Sequence, residues 1–174
     1  CEIADGSVGI IVENHGRAEL HQPIAIERTV GWFTSCYPIV IDNNNNIADV
    51  LINTKETLRR IPKNGIDYLL LSEGFHKNTE IIFNFYHNST ADKDWKSELI
   101  AFNSDSSVFP GKINVNCFTT DNILTVNISV PKCIHKQKIS KELGIEFANQ
   151  IEKIVDTYTT TDTVIKTCSD FSDD

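Results

Sequence analysis

The chain has 174 residues, of which 40% are hydrophobic and 23% charged, and its formal net charge is −8. This length and composition fit a single globular domain with a hydrophobic core and leave no room for two ordinary domains. The acidic balance argues against a nucleic-acid surface, which needs clustered basic residues, and no apolar run approaches the ~20 residues needed to span a bilayer.

The first half of the chain predicts two strands followed by a helix. Val8–Val12 is an apolar run typical of a buried strand, and a glycine-containing turn follows it. Tyr37–Ile41 predicts a second strand, which ends in the asparagine-rich surface loop 42–46. Apolar residues at helical spacing from Ile47 onward predict an amphipathic helix that Pro62 stops.

The second half predicts three more strands. Glu80–Tyr86 is a β-type run, and the alternating segments 113–118 and 124–130 predict a hairpin with one face buried. Residues 88–111 look irregular between these strands. We expect that segment to be anchored to the core by its large apolar side chains, namely Trp95, Leu99 and Phe102.

A long helix follows the hairpin. Ser140 is the predicted cap, and the helix carries one apolar stripe made of Leu143, Phe147, Ile151, Ile154, Val155 and Tyr158. After Thr159 the sequence is polar and is expected to fray, and Asp170 to Asp174 reads as a solvated acidic terminus. Strands mixed with two amphipathic helices predict an α/β layered domain over residues 1–160, with a polar tail or the start of an interdomain linker at 161–174.

The cysteine and methionine counts carry further expectations. The five cysteines show no C-x-x-C spacing and are odd in number, which argues against a zinc site or a disulfide framework. We therefore expect reduced thiols in a cytoplasmic protein and no bound metal. Methionine is absent, including at position 1, and this indicates a piece of a longer chain.

Several stretches, taken in order, resemble the motifs of one enzyme family. The most specific is Arg28–Pro38, which is similar nearly position for position to R-T-V-G-W-F-T-x-x-Y-P. The other similarities are those of Glu13–Ala18 to E-G-H-G-R-E, of Pro62–Tyr68 to P-x-x-G-x-G-Y-G, of Phe83–Tyr86 to F-N-Y-L-G, and of Thr167–Ser172 to T-P-S-D-F-S. The chain thus resembles the C-terminal lobe of a nonribosomal peptide synthetase epimerization domain, in the condensation-domain superfamily. Ordinary condensation domains share the T-V-G core but usually lack the W-F-T continuation.

The chain departs from these motifs at a few positions. Ala18 replaces the second glutamate of the first motif, and Asp67 and Leu69 stand where glycines are expected. In the last strand motif, Phe85 replaces the tyrosine, and Tyr86 with His87 replaces L-G.

The resemblance implies a fold and a set of partners. The fold is a chloramphenicol-acetyltransferase-like lobe, in which helices pack on a mixed, mainly antiparallel sheet, and the active site lies in a tunnel between two lobes. The family's H-H-x-x-x-D-G motif belongs to the N-terminal lobe, and this chain has only isolated histidines. The implied partners are that missing lobe and a peptidyl carrier domain, whose 4'-phosphopantetheine arm holds the thioester substrate. No cofactor is expected on this lobe, and the isolated chain is predicted to be inactive.

Epimerization of a thioester needs two acid/base groups on opposite sides of the Cα carbon, each with a pKa near working pH. The resemblance gives one role to the histidine of the other lobe and the facing role to Glu13. Burial behind an apolar strand would raise the pKa of Glu13 from ~4.3 toward that range. The alternative is a strand-end carboxylate paired with Arg17. Arg17 itself either holds Glu13 or stabilises enolate charge, or it forms an ordinary structural ion pair.

The other motif residues carry weaker expectations. Asn84 could hydrogen-bond the substrate, or it is a polar residue on an edge strand. His15 and Tyr37 are motif residues with an expected structural role. Trp32 is expected in the core together with Phe33, and Cys36 has no partnered base that would make it a nucleophile.

The implied function is interconversion of the L and D configurations at the Cα of a carrier-bound aminoacyl or peptidyl thioester. One alternative is a condensation-domain lobe that forms peptide bonds. The other is a non-catalytic module that docks a carrier domain, an alternative favoured by the departures from the motifs.

Overall fold

The structure is a computed structural model that describes residues 6–17, 25–26, 28–42, 46–71, 79–87, 112–120, 123–130, 137–160, 166–167 and 170–171. It contains five strands and three α-helices in the described residues. In chain order these are β1 (Ser7–Asn14), β2 (Ser35–Asp42), α1 (Ile47–Arg59), α2 (Tyr68–Leu71), β3 (Ile81–His87), β4 (Ile113–Thr120), β5 (Ile123–Ser129) and α3 (Gln137–Thr160). A short 3-10 turn, Pro62–Gly65, lies between α1 and α2. The predicted α/β class is confirmed.

The strands form one five-stranded sheet in the order β2-β1-β3-β4-β5. The outer pairs, β1 with β2 and β4 with β5, are antiparallel, whereas β3 runs parallel to both of its neighbours. The sheet is therefore mixed, as expected, with two antiparallel and two parallel strand pairs among the described strands. The predicted hairpin of β4 and β5 is present. Strand β4 ends at Thr120, and β5 begins at Ile123.

The register aligns side chains in rows across the strands, and alternate residues of each strand belong to opposite faces. One row comprises Tyr37, Val12, Phe83, Val115 and Ile128. We call its side of the sheet the helix face, because the 62–65 turn contacts Tyr37 and α3 lies along Ile128. The adjacent row on the opposite side, which we call the carboxylate face, comprises Cys36, Glu13, Asn84, Asn116 and Asn127.

Buried apolar residues lie on both faces of the central strands. Ile11, Cys36 and Ile82 form a buried cluster on the carboxylate face. The buried residues of the helix face are Tyr37, Ile39, Val115 and Cys117. The thiols of Cys36 and Cys117 are free, in agreement with the prediction of reduced cysteines at these two positions.

Helix α1 and the turn after it follow the local sequence closely. Asn46 caps α1 by accepting a hydrogen bond from the Ala48 N–H at 3.0 Å. Pro62 then begins the 3-10 turn. Proline suits a first helical position, because the N–H that it lacks would have no partner within the helix there. This turn is fixed to β2, because the Ser35 Oγ donates to the Asn64 carbonyl at 3.0 Å.

Gly65 allows the turn to contact β2. Its φ of +71° lies in the left-handed region, and a Cβ at this position would be only 2.0 Å from the Tyr37 ring. Two motif residues that are far apart in sequence, Gly65 and Tyr37, are thus in direct contact. This packing agrees with a structural role for Tyr37.

Helix α3 packs against β5, which is an edge strand of the sheet. It begins at Gln137, so the prediction of a cap at Ser140 was wrong and placed the start too late. The reason is that a serine can stand within the first helical turn as well as at its cap, so its presence does not mark the first residue. None of the described helices is long and apolar enough to cross a membrane.

The described part of the C-terminal segment is tied to α1. The Asp170 carboxylate pairs with Lys55 at 2.6 Å and with Arg59 at 2.7 Å, and it accepts the Thr167 backbone N–H at 2.7 Å. Asp170 is exposed, as predicted for an acidic terminus, but the prediction did not include its ion pairs with α1. The cause of these pairs is charge complementarity with the last two turns of α1. The proposed boundary at residue 160 stays a prediction, and Trp95, Leu99 and Phe102 lie outside the described residues.

Candidate functional site

Glu13 is the penultimate residue of β1, and its side chain lies on the carboxylate face. Its cross-strand neighbours are Cys36 on β2 and Asn84 on β3. The apolar residues that precede it in β1 include the fully buried Ile11, and β1 lies between β2 and β3 in the sheet. Glu13 is itself only partly buried, so its carboxylate is partly withdrawn from water and still accessible.

Asn84 holds the Glu13 carboxylate in place. Its Nδ2 donates to Glu13 Oε2 at 2.5 Å and to the Tyr86 hydroxyl at 2.6 Å. Asn84 is 6% exposed and lies on β3, which has a paired strand on each side. The alternative of a polar residue on an edge strand is therefore wrong. In this structure the amide positions Glu13.

The surroundings of Glu13 raise the pKa of its carboxyl above the ordinary value of 4.5. Burial is the main cause, because it penalises the charged form, and the hydrogen bond from Asn84 partly opposes the effect. This agrees with the expectation that the apolar strand would raise the pKa. A carboxyl shifted in this direction exchanges a proton nearer to neutral pH, as a general acid or base requires.

Burial also keeps the neighbouring thiol protonated. It raises the pKa of Cys36 to about 11, and the adjacent Glu13 charge adds to the shift. The thiolate is the nucleophilic form of cysteine, so Cys36 is unreactive near neutral pH. The prediction that Cys36 is no nucleophile agrees with this environment.

Arg17 contacts Ile26, Thr29 and Phe33 and forms no ion pair with Glu13. Its guanidinium donates to the Ile26 carbonyl at 2.5 Å and to the Thr29 carbonyl at 2.9 Å, and it lies 4.2 Å from the centroid of the Phe33 ring. The ion pairs found among the described residues do not include one between Glu13 and Arg17. The predicted pairing was therefore wrong, because the Arg17 guanidinium donates to backbone carbonyls instead.

The turn after β1 depends on His15 and Gly16. His15 Nδ1 accepts the Arg17 backbone N–H at 3.0 Å, and the His15 N–H donates to Asn14 Oδ1 at 2.7 Å. These local bonds agree with the structural role expected of His15. Gly16 has a φ of +61°, and a Cβ there would be 1.6 Å from the Phe33 carbonyl oxygen. Glycine thus permits the close approach of the 28–33 segment to this turn.

The motif segment before β2 exposes its tryptophan. Trp32 is 90% exposed and Val30 fully so, and the prediction that Trp32 packs in the core was wrong. The physical reason is that the backbone is irregular here, so no strand alternation directs Trp32 inward. The half-buried Phe33, and not Trp32, packs against the Arg17 guanidinium. Tyr37, three residues into β2, is 5% exposed.

Sequence reasoning did not single out Tyr86 as a site residue. Tyr86 follows Asn84 by two positions, so strand alternation places both side chains on the carboxylate face. The signal that could have found it was this period of two, because a strand that contains Asn84 predicts the same face for Tyr86. Phe85, at the position where the motif has tyrosine, belongs to the opposite face.

A mixed α/β sheet with a partly buried carboxyl on one face is a framework suited to acid/base chemistry. The chain belongs to the Condensation domain family, whose sequence model matches residues 4–174.

Several relatives are larger synthases. Bacitracin synthase 2 of Bacillus licheniformis is 29% identical over 180 residues, which cover 95% of this chain and 7% of that protein. Gramicidin S synthase 1 of Brevibacillus brevis is 29% identical over 192 residues, which cover 94% of this chain and 17% of that protein. This chain therefore spans only a small part of either relative.

One solved structure is similar over most of the chain. It is the crystal structure of the epimerization domain from the third module of tyrocidine synthetase B. The TM-score is 0.71 with 27% sequence identity, and the match covers 90% of this chain and 38% of that one. The five-stranded sheet with its helices therefore has the fold of part of an epimerization domain.

Proposed function

We propose that this chain is the C-terminal lobe of an epimerization domain of a nonribosomal peptide synthetase. Its substrate would be an aminoacyl or peptidyl thioester on the 4'-phosphopantetheine arm of a carrier domain. The observation that carries the proposal is the Glu13 carboxyl, which is held by Asn84 and has a pKa raised by burial. A group of this kind suits proton transfer at a carbon next to a carbonyl.

The proposed chemistry is a reversible proton transfer at Cα. Glu13, as the carboxylate, takes the Cα proton from one side, and the electron pair of the C–H bond moves into the thioester carbonyl. An acid on the opposite side returns a proton to Cα and thereby inverts the centre. The resemblance gives that second role to a histidine of the N-terminal lobe, so this chain supplies one half of the acid/base pair.

Two observations favour epimerization over other reactions of the family. The Arg28–Pro38 segment follows the epimerization motif through its W-F-T continuation. The similar solved structure is itself an epimerization domain. Of the departures from the motifs, Asp67 lies between the 62–65 turn and α2, and Leu69 lies within α2, so neither is on the strands that hold Glu13 and Asn84.

The test is Glu13→Gln in the intact domain, assayed by exchange of the Cα hydrogen of a carrier-bound thioester for deuterium. We expect the rate to fall by roughly 10²–10⁴-fold, the usual contribution of a positioned acid/base group. Glu152→Gln is the matched control, because Glu152 is exposed on α3 and the chemical change is the same. Exchange at the parental rate in Glu13→Gln would overturn the assignment.

The second candidate is peptide-bond formation, which the Condensation domain match favours. A downstream aminoacyl carrier, added to the intact domain with a loaded upstream carrier, distinguishes the two. Dipeptide formation without Cα exchange would support condensation. Carrier binding with neither reaction would support a non-catalytic docking module.

A further inference from the structure

Proton removal from a thioester leaves negative charge on the carbonyl oxygen, and a hydrogen-bond donor must lie near the base to stabilise that charge. The sequence offered Arg17 for this task. In the structure the Arg17 guanidinium donates to the carbonyls of Ile26 and Thr29 and stacks on Phe33. If this lobe supplies the donor, it must be another group beside Glu13.

Asn84 does not meet this requirement. Its Nδ2 carries two hydrogens, and the structure directs one to Glu13 and the other to the Tyr86 hydroxyl. Both donors of the amide are thus engaged within the site. The Asn84 side chain is also 6% exposed, which leaves little of it accessible to a ligand.

The Tyr86 hydroxyl has the required properties. It accepts from Asn84, so its own O–H is still available to donate, and within the described residues no acceptor is seen for it. It lies within hydrogen-bond distance of the same nitrogen that holds Glu13. Tyr86 is 51% exposed, so the residue is not enclosed by the fold.

The environment of Tyr86 keeps it protonated. Burial raises the pKa of the phenol above its ordinary value of 10, and the charge of Glu13 raises it further, whereas the hydrogen bond from Asn84 acts in the opposite direction. The hydroxyl is therefore a donor throughout the neutral pH range.

We propose that the Tyr86 hydroxyl donates a hydrogen bond to the thioester carbonyl oxygen of the substrate while Glu13 removes the Cα proton, an inference that rests on the proposed function. The Cα–H bond breaks, and its proton forms an O–H bond with Glu13. The electron pair moves into the carbonyl and gives an enolate oxygen, which accepts the hydrogen bond. Tyr86 keeps its proton, and the acid on the opposite side of Cα supplies the proton that completes inversion.

The test is Tyr86→Phe in the intact domain, with the same deuterium-exchange assay. We expect kcat to fall about 10²-fold with KM little changed, because the hydrogen bond strengthens only as charge develops on the oxygen. Tyr158→Phe is the matched control, since it removes a buried hydroxyl on α3 that has no partner among the described residues. Its exchange rate should equal that of the parent.

A second measurement separates donation from packing. Site-specific 3-fluorotyrosine at position 86 makes the phenol more acidic without changing its size appreciably. The alkaline loss of exchange should then begin at lower pH than in the parent. If Glu13→Gln lowers exchange as expected, an unchanged pH profile would overturn the role of Tyr86. So would a Tyr86→Phe rate within about twofold of the parent. Loss of the Glu13 effect would instead overturn the proposed function itself.

Discussion

The two faces of the sheet use the same five strands for different purposes. The helix face carries apolar side chains, and it receives the 62–65 turn at one end and α3 at the other. The carboxylate face carries a polar row in which Glu13, Asn84 and Asn116 occupy adjacent strands. The carboxylate face also has the buried cluster of Ile11, Cys36 and Ile82, so the two faces differ in this polar row and not in whether they are packed.

This difference predicts opposite responses to substitution. A change on the helix face disturbs close packing, which costs stability. A change at the partly buried carboxylate relieves an unfavourable burial of charge, and it removes activity instead. Functional groups are commonly held at such a cost to stability. The following experiments test this contrast, from the largest expected effect to the smallest.

Gly65→Ala should destabilise the fold most. A methyl group there would lie 2.0 Å from the Tyr37 ring, at a φ of +71° that alanine tolerates poorly. We expect a loss of roughly 2–4 kcal/mol in the free energy of unfolding, measured by urea denaturation. Gly144→Ala in α3 is the control, because no atom outside the local helix backbone and the two neighbouring residues lies within 4 Å of its Cβ position. That variant should gain about 0.5–1 kcal/mol from helix propensity, and an equal loss in both variants would contradict the packing argument.

Arg17→Met should have an intermediate effect on stability and none on the acid/base group. It leaves the carbonyls of Ile26 and Thr29 without their charged donor, at an expected cost of about 2 kcal/mol in the free energy of unfolding. The pH profile of Cα exchange in the intact domain should be unchanged, because Arg17 does not pair with Glu13. A shift of that profile would indicate that the two residues interact after all. Arg60→Met, at an exposed position after α1, controls for loss of charge.

Glu13→Gln should stabilise the protein above the raised pKa of the carboxyl. Below the ordinary value of 4.5, folded and unfolded chains both carry the proton, so the charge has no effect. As the pH rises through the folded-state pKa, the parent loses stability because a charge forms in a partly buried site. Glutamine remains neutral, so its advantage should be present at pH 8 and absent at pH 4 in parallel thermal melts. A glutamine variant less stable than the parent at pH 8 would refute this account.

Asp170→Asn should have the smallest effect, and one that depends on salt. Hydrogen bonds from Lys55, the Thr167 backbone and Arg59 hold the pKa of Asp170 well below its usual range. This carboxylate therefore stabilises the fold fully at pH values above its ordinary pKa of 3.8. The contribution is lost only as the pH falls toward the lowered pKa. The melting temperature should fall at neutral pH, and high salt should reduce the difference because the pairs are exposed. Asp67→Asn, which removes a single local pair with Lys63, should change less.

The order of the elements could be predicted from the sequence because hydrophobic periodicity reports burial directly. The apolar run at Val8–Val12 and the alternating segments near 113–118 and 124–130 all correspond to strands. The strand order and the parallel pairing of β3 could not be predicted, because they depend on contacts between distant segments. The start of α3 was misplaced because a capping residue type is not confined to the cap position.

The site was only partly predictable. Glu13 and Asn84 were found through motif resemblance, whereas their mutual hydrogen bond requires the register of β1 with β3. The pairing of Glu13 with Arg17 and the burial of Trp32 were wrong, because residues outside regular elements have no periodicity that fixes their direction. The ion pairs of Asp170 were not predicted, because its partners Lys55 and Arg59 lie 115 and 111 positions earlier in the sequence.

The separation of Glu13 from Asn84 also has a consequence for folding. These residues are 71 positions apart, and they meet only when β1 pairs with β3 across the centre of the sheet. The β4–β5 hairpin and α1 close short loops and form at low entropic cost, whereas this central pairing closes a long one. In a refolding experiment on the intact domain, proton-exchange activity should therefore return after the helical signal.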